Sequence, residues 1–334
     1  MTHHIGQASA YRPDPKSLKA LLEILDTASL NSTVSTSGMF NDYFKFYGID
    51  FEHQMSEVRH VIGRIDSHDY QLACHLFLKD NARGSVFLLH GYYDHVGLFS
   101  NLIRFLLEND YNVVAYELPG HGLSSGAPAS IPDFGIYTEI LTDIFARFEE
   151  SLPKPWHAFG QSTGCAILTD YLAGLAETEQ TGPFEKVFFS APLIRPWLWK
   201  LGRVQLRILK PFTKGIRRRY TDNSRNREFL ELAHNDPLGP DVLPTEWVSS
   251  LDRWIKRIES SSFRSSVSPV IFQGTQDRTV DAAHNIPVLQ RLFSNPEVHY
   301  QSEAGHHLMN ELPKTVCSIQ KILKTHLLNN DSSN

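Results

Sequence analysis

Hydrophobic positions along the chain change their period several times, and each change marks an element. Residues 15–28 (PKSLKALLEILDTA) carry a helical period opened by Pro15. Residues 29–38 are rich in Ser and Thr and read as a loop. Mixed or alternating runs at 57–65 and 69–78, joined through Asp66-Ser67-His68, predict two strands and a turn. The run at 84–90 (GSVFLLH) is continuously apolar, as a strand covered on both faces requires. Strands and helices then alternate, with helix at 99–109, strand at 111–117, helix at 135–150, strand at 156–160, helix at 164–176 and strand at 186–190. Such alternation predicts an α/β fold, with a mostly parallel central sheet and helices on both faces.

The alternation stops at Pro192. To about Phe263 the chain is helical, basic and aromatic, with no pattern of a buried strand. It resumes with a strand at 268–274, a helix at 283–293, a strand at 297–301 and a helix at 313–328. A helical insertion after one strand, followed by a return to the sheet, predicts a cap. The expected organisation is a helical extension at 1–55, a core from 56–191 and 264–328, a helical cap at 192–263 and a disordered tail at 329–334.

Composition narrows the function classes. The chain has 334 residues, 41% hydrophobic and 21% charged, enough for one large domain carrying an insertion. A net charge of -5 excludes a globally basic nucleic-acid binder. No segment approaches the roughly 18 uncharged apolar residues of a membrane span. The N-terminus shows no apolar stretch before a small-residue cleavage site, so a cytoplasmic protein is expected. Cys74, Cys165 and Cys317 are too few and too scattered for a disulfide framework, and there is no CxxC or HExxH. Neither a metal nor a cofactor is expected.

The chemistry centres on Gly160-Gln161-Ser162-Thr163-Gly164, a G-x-S-x-G sequence at the joint between a strand and a helix. By itself the pentapeptide fits any strand-to-helix turn. At this joint it fits a nucleophile elbow, in which Gly160 and Gly164 remove side chains that would strike the neighbouring elements. The helix that begins there aims its free amides at the serine. A serine nucleophile needs a base and an orienting carboxylate, in the chain order Ser, acid, His. Asp277 lies in the loop after the strand at 268–274, and His306 and His307 lie in the loop after 297–301. The order Ser162, Asp277, His306 satisfies the requirement. Backbone amides of Thr163 and Tyr92, the latter turned inward by Gly91, are the expected oxyanion donors.

With these residues in place the chain resembles an α/β-hydrolase of the monoacylglycerol lipase and bacterial lysophospholipase group, also grouped with the serine aminopeptidases. HGYYDHVGLF (90–99), YNVVAYELPGHGLSSG (111–126), FGQSTG (159–164), GTQDRTV (274–280) and EAGHHLMNE (303–311) carry the resemblance, over roughly residues 56–328. It implies Ser162 as nucleophile, Asp277 as acid, His306 rather than His307 as base, and Tyr92 and Thr163 as oxyanion donors. Departures fall at Gln161, Thr163 and Cys165, where the family commonly has His, Met and Gly, and they bear on pocket polarity and acyl preference. Glu117 stands where the family usually opens a turn with Asp, and a structural role is expected for it.

The implied activity is a serine esterase acting on single-chain acylated lipids, either lysophospholipids or monoacylglycerols. The same triad would serve a thioesterase, an amidase or aminopeptidase, or a C–C hydrolase. A non-catalytic binding protein on the same frame is the remaining alternative. Charge in the insertion bears on partners. From Arg195 to Arg227 there are 11 Lys and Arg against one acid, Asp222. Trp197, Trp199, Arg203, Arg207, Lys210, Arg217, Arg218 and Arg219 lie in this stretch among Leu201, Val204, Leu206, Ile208 and Leu209. The stretch reads either as a lid over an acyl pocket or as a surface for anionic membrane, where each basic residue contributes on the order of 1 kcal/mol. No nucleic-acid fold accompanies the charges.

Overall fold

The computed structural model describes residues 12–23, 26–28 and 38–328. Its centre is an eight-stranded sheet. In chain order the strands are β1 (Val58–Ser67), β2 (Tyr70–Lys79), β3 (Gly84–Leu89), β4 (Tyr111–Tyr116), β5 (Trp156–Gln161) and β6 (Phe184–Ser190), then, after the insertion, β9 (Val270–Gly274) and β10 (Glu297–Gln301), with β7 and β8 in the insertion itself. The spatial order is β1-β2-β4-β3-β5-β6-β9-β10. Strands β4 to β10 of this order run parallel, and β2 is antiparallel to both β1 and β4. The expected mostly parallel sheet is present, with the early alternating strands at its antiparallel edge.

Alternation along β3 and β4 divides the interior in two. Phe87, Leu89, Val114 and Tyr116 face one core, and Val86, Leu88, Val113 and Ala115 face the other. The first core packs under α4 (Gly135–Phe148), α5 (Thr163–Glu177) and α9 (Ala282–Leu292). The second packs under α1 (Pro15–Glu23), α2 (Gly38–Tyr47), α3 (Ser100–Glu108) and α10 (Pro313–Leu328).

The N-terminal extension departs from expectation. Among the described residues the predicted helix covers Pro15–Glu23, and Thr27 instead bridges Arg64 at the sheet edge, where Ala28 donates to the Arg64 carbonyl at 2.9 Å. The predicted loop lies outside the described residues except for Gly38, which opens α2. That helix buries Phe40, Tyr43, Phe44 and Tyr47, a spacing that fits one face of a helix.

Between β6 and β9 the insertion supplies α6 (Trp199–Leu209), α7 (Arg227–His234) and α8 (Thr245–Ser260), and also a ribbon that its sequence does not predict. Strands β7 (Gly215–Arg217) and β8 (Val242–Pro244) pair antiparallel. At three residues each they are too short to show an alternating pattern. Helix α8 seats the insertion on the core through Trp247, Leu251, Trp254, Ile255 and Ile258, with Trp254 stacked on Phe134 at 4.7 Å. Arg203 ties α6 to α8 through Asp252 at 2.9 Å. Among the described residues, no helix is long and apolar enough to cross a membrane.

Candidate active site

Ser162 follows β5 at the centre of the sheet and caps α5 with φ +51° and ψ −107°. Few non-glycine residues hold such a conformation, which costs on the order of 1–3 kcal/mol and persists only where the surroundings enforce it. Here the amide of Ser162 donates to Ser190 O at 2.9 Å, and its carbonyl accepts from Cys165 at 3.0 Å and Leu193 at 3.3 Å. A side chain at Gly164 would strike the backbone carbonyl of Leu89, and one at Gly160 would sit 2.7 Å from the Cys165 amide. The turn can therefore close only with glycine at both places. Cys165 is fully buried, and burial pushes its thiol well above the ordinary range, so it is no competing nucleophile.

Asp277 and His306 come from the carboxyl ends of β9 and β10. His306 Nδ1 and Asp277 Oδ2 are 2.8 Å apart. The carboxylate is buried and also accepts from the amides of Thr279 at 2.7 Å and Val280 at 3.2 Å, and from Gln273 Nε2 at 3.2 Å. Burial opposes its charge, but His306 and these donors outweigh burial and hold Asp277 below its ordinary value. For His306, burial disfavours the imidazolium, and the Asp277 charge overrides it, so the ring titrates above its ordinary value. The structure thus brings Asp277 and His306 together, and Ser162 and His306 line one cavity of about 430 Å³.

Two further contacts lock the serine turn to the histidine loop. Gln161 Nε2 donates to His306 O at 3.1 Å. This departure from the family pattern does not line the cavity; it braces the loop instead. From the insertion, Asn223 O accepts the amides of His306 at 2.7 Å and His307 at 3.0 Å. His307 itself pairs with Asp94, Nε2 to Oδ1 at 3.4 Å, and lies against the Phe229 ring.

Tyr92 and Thr163 also line the cavity. Thr163 opens α5, so its amide has no partner within the helix. Among the described residues no hydrogen bond engages the Tyr92 amide. The loop that carries it is held by His90, whose Nε2 accepts from the Leu118 amide at 2.9 Å, which leaves Nδ1–H to donate to Gly91 O at 2.7 Å. Burial lowers His90 to about 4, in keeping with a neutral ring. Gly91 sits against Asp94 and Ser162, where a side chain would collide with Asp94 Oδ2.

The remaining cavity wall is largely apolar and comes from the insertion and its flanks: Leu193, Trp199, Leu206, Leu209, Leu243 and Trp247 among others. Two residues expected at a membrane surface are placed otherwise. Trp199, the first residue of α6, is buried and part of the cavity wall. Arg203 is committed to Asp252. Trp197, Arg207, Lys210, Arg217 and Arg219 are exposed and Arg218 is half-buried.

A second buried ionic group, which sequence patterns do not reveal, lies beside the site. His95 Nε2 meets Asp236 Oδ2 at 3.0 Å and its Nδ1 meets Glu117 Oε1 at 3.5 Å, while Tyr47 OH donates to Asp236 Oδ1 at 2.6 Å. Burial disfavours a charged His95, but Asp236 and Glu117 raise it to about 10. Glu117 also accepts from the amides of Leu123 and Val96.

Among the described residues, one group has metal-ligand spacing: Glu297, His299 and His326. It lies at the amino end of β10, away from Ser162. Glu297 already pairs with each histidine, at 2.7 and 3.1 Å.

Comparison with known proteins matches the family described as "Serine aminopeptidase, S33" over residues 80–313. Monoglyceride lipase of Rattus norvegicus is 25% identical over 250 residues, covering 72% of this chain and 80% of that protein. Phospholipase YtpA of Bacillus subtilis is 22% identical over 237 residues, covering 68% of this chain and 88% of that protein. Among solved structures, a soluble variant of monoglyceride lipase from Saccharomyces cerevisiae, in complex with a substrate analogue, superposes with a TM-score of 0.68 at 16% identity, over 80% of this chain and 96% of that one.

Proposed function

The chain belongs to the serine aminopeptidase S33 family and is an ester hydrolase, and from that premise we propose that it cleaves single-chain acylated lipids through an acyl-enzyme on Ser162. One observation carries this: a strained serine and a carboxylate-held histidine line the same apolar-walled cavity. Ser162 Oγ attacks the ester carbonyl and its proton passes to Nε2 of His306. Asp277 holds the ring through Nδ1 and stabilises the imidazolium. The negative oxygen is received by the amides of Tyr92 and Thr163, with the amino end of α5 adding to the field. Collapse breaks the ester bond, and His306 returns the proton to the departing glycerol oxygen. Water then repeats the cycle against the acyl-serine and frees the fatty acid.

A lipid substrate has to leave an aggregate to reach this cavity, and the outer face of α6 suits that step. Leu201, Val204, Ile208 and Phe212 are 51 to 85% exposed, and Arg207 and Lys210 stand among them. A contiguous exposed apolar patch with basic neighbours is the signature of a surface that rests on anionic lipid. The two readings of the insertion are compatible, since Trp199, Leu206 and Leu209 line the pocket from the same helix.

The test is hydrolysis of matched monoacylglycerol, lysophosphatidylcholine, acyl-CoA and amino-acyl p-nitroanilide. The expected outcome is turnover of the two glycerolipids, with a fall on the order of 10⁴-fold or more in Ser162→Ala. Turnover confined to the thioester or the anilide, or unchanged in the variant, would overturn the assignment.

A further inference from the structure

The half of the cavity nearest Tyr93 differs from the apolar wall. The cap ribbon brings Arg217, Arg218 and Arg219 to its edge, with Tyr93, Tyr220 and His234. Arg218 is the one of the three that is drawn in. Its guanidinium lies 4.2 Å from the centre of the Tyr93 ring and 4.5 Å from that of Tyr220. Cation–π attraction to two rings holds the guanidinium at the cavity wall. One donor reaches Pro240 O at a long 3.3 Å. Among the described residues no carboxylate forms an ion pair with Arg217, Arg218 or Arg219. The two acids of the cavity wall, Asp94 and Asp236, are engaged by His307 and by His95 with Tyr47.

Position completes the picture. Tyr93 directly follows Tyr92, the expected oxyanion donor, and the two rings are 4.2 Å apart. Burial lowers His307 against the opposing charges of Asp94 and Asp277, and His306 and, least of these, Arg218 act in the direction of burial, so the field of Arg218 reaches the neighbour of the base. A cation that forms no ion pair among the described residues therefore stands in the wall of the cavity that Ser162 and His306 also line. A monoacylglycerol offers it nothing ionic. A lysophospholipid carries a phosphate one glycerol backbone away from the scissile ester.

We propose that Arg218 is an anion subsite that receives the phosphate of a lysophospholipid head group, which makes phosphate-bearing single-chain lipids the preferred substrates over uncharged monoacylglycerols. The proposal rests on Ser162 and His306 being the acyl-transfer centre.

The experiment compares kcat/KM for 1-acyl lysophosphatidylcholine and 1-monoacylglycerol of one chain length, both as monomers, in the wild type, Arg218→Gln and Arg218→Lys. A charge-assisted fork on phosphate predicts that Arg218→Gln lowers the lysophospholipid value by about 10- to 100-fold and the monoacylglycerol value by less than about 3-fold. Arg218→Lys should restore only part of the loss, because a point charge lacks the fork and the stack. Equal losses on both substrates, or no loss on either, would overturn the proposal. Inorganic phosphate provides the second arm: if it inhibits monoacylglycerol hydrolysis in the wild type and not in Arg218→Gln, while the lysophospholipid value is unchanged by the substitution, the subsite serves free phosphate and the lipid assignment fails. A wild type that cleaves neither lipid would instead sink the acyl-transfer reading beneath it.

Discussion

Two buried histidines of this molecule, His306 and His95, have carboxylate partners, and they are built for opposite ends. His306 has one partner, Asp277, on Nδ1. Its Nε2 is engaged by no described side chain, and the ring lines the cavity that Ser162 enters. His95 has a carboxylate on each nitrogen, Glu117 on Nδ1 and Asp236 on Nε2. Both of its nitrogens are closed in, Nδ1 also lying 3.2 Å from the Gly97 amide, and the ring does not line the cavity, so it is not placed to act there as a base. The difference between a candidate base and a structural cation is one nitrogen left open toward a cavity. His95 is the bolt by which the insertion, through Asp236, and the extension, through Tyr47, are fastened to Glu117, the residue that follows β4.

The sharpest way to break the comparison is to remove each histidine's partner in turn. Asp277→Asn should lower kcat on the order of 10³- to 10⁴-fold while leaving the fold intact, because the ring loses its tautomer and the charge behind it. The same change should move the acid limb of kcat/KM. The wild-type limb lies above 6.5, since Asp277 raises His306 despite burial, and activity falls as pH drops through that raised value. With the carboxylate gone the limb shifts to lower pH. A variant that loses stability but keeps its rate would give Asp277 the role assigned here to Asp236.

A smaller effect, on stability and not on chemistry, is expected at the other pair. His95→Ala leaves Glu117 and Asp236 buried without their cation, a loss of about 3–5 kcal/mol in urea denaturation. The pH dependence sharpens this. His95 titrates near 10 when folded and near 6.5 when free, so its contribution is complete below about 6.5 and disappears as pH rises toward 10. Wild-type stability should therefore decline across that window, and the decline should be absent in His95→Ala. A decline of equal size in the variant would contradict the bolt.

The two pairs also differ in how much of them can be read from the chain. Ser162, Asp277 and His306 each sit just past a strand end, and the strands are marked by short apolar runs, so hydrophobic pattern and chain order place all three on one rim of the sheet. Their loops are local in sequence even though their meeting is not. Asp236 and His95 are 141 residues apart, one on an irregular segment of the insertion and the other in a loop, and nothing periodic ties them. The ribbon of β7 and β8 and the bridge at Thr27 escape for a related reason: they are stabilised by partners distant in sequence and are too short to impose a pattern. Gln161 was legible as a departure but not as a brace, because its partner is the carbonyl of His306, which carries no sequence signal. Trp199 shows the limit of composition, since an aromatic residue beside a basic helix fits an interface and a pocket wall equally well until the helix is oriented.

The central claim is that Ser162 is the nucleophile, activated by His306 and strained into reach of a substrate. Reaction of the full chain with a fluorophosphonate, followed by mass analysis of the peptide that contains residue 162, tests it most directly. The account predicts one covalent adduct on Ser162, formed in wild type and sharply slowed in His306→Ala. Folded protein that carries no adduct, or carries it on another residue, would contradict it.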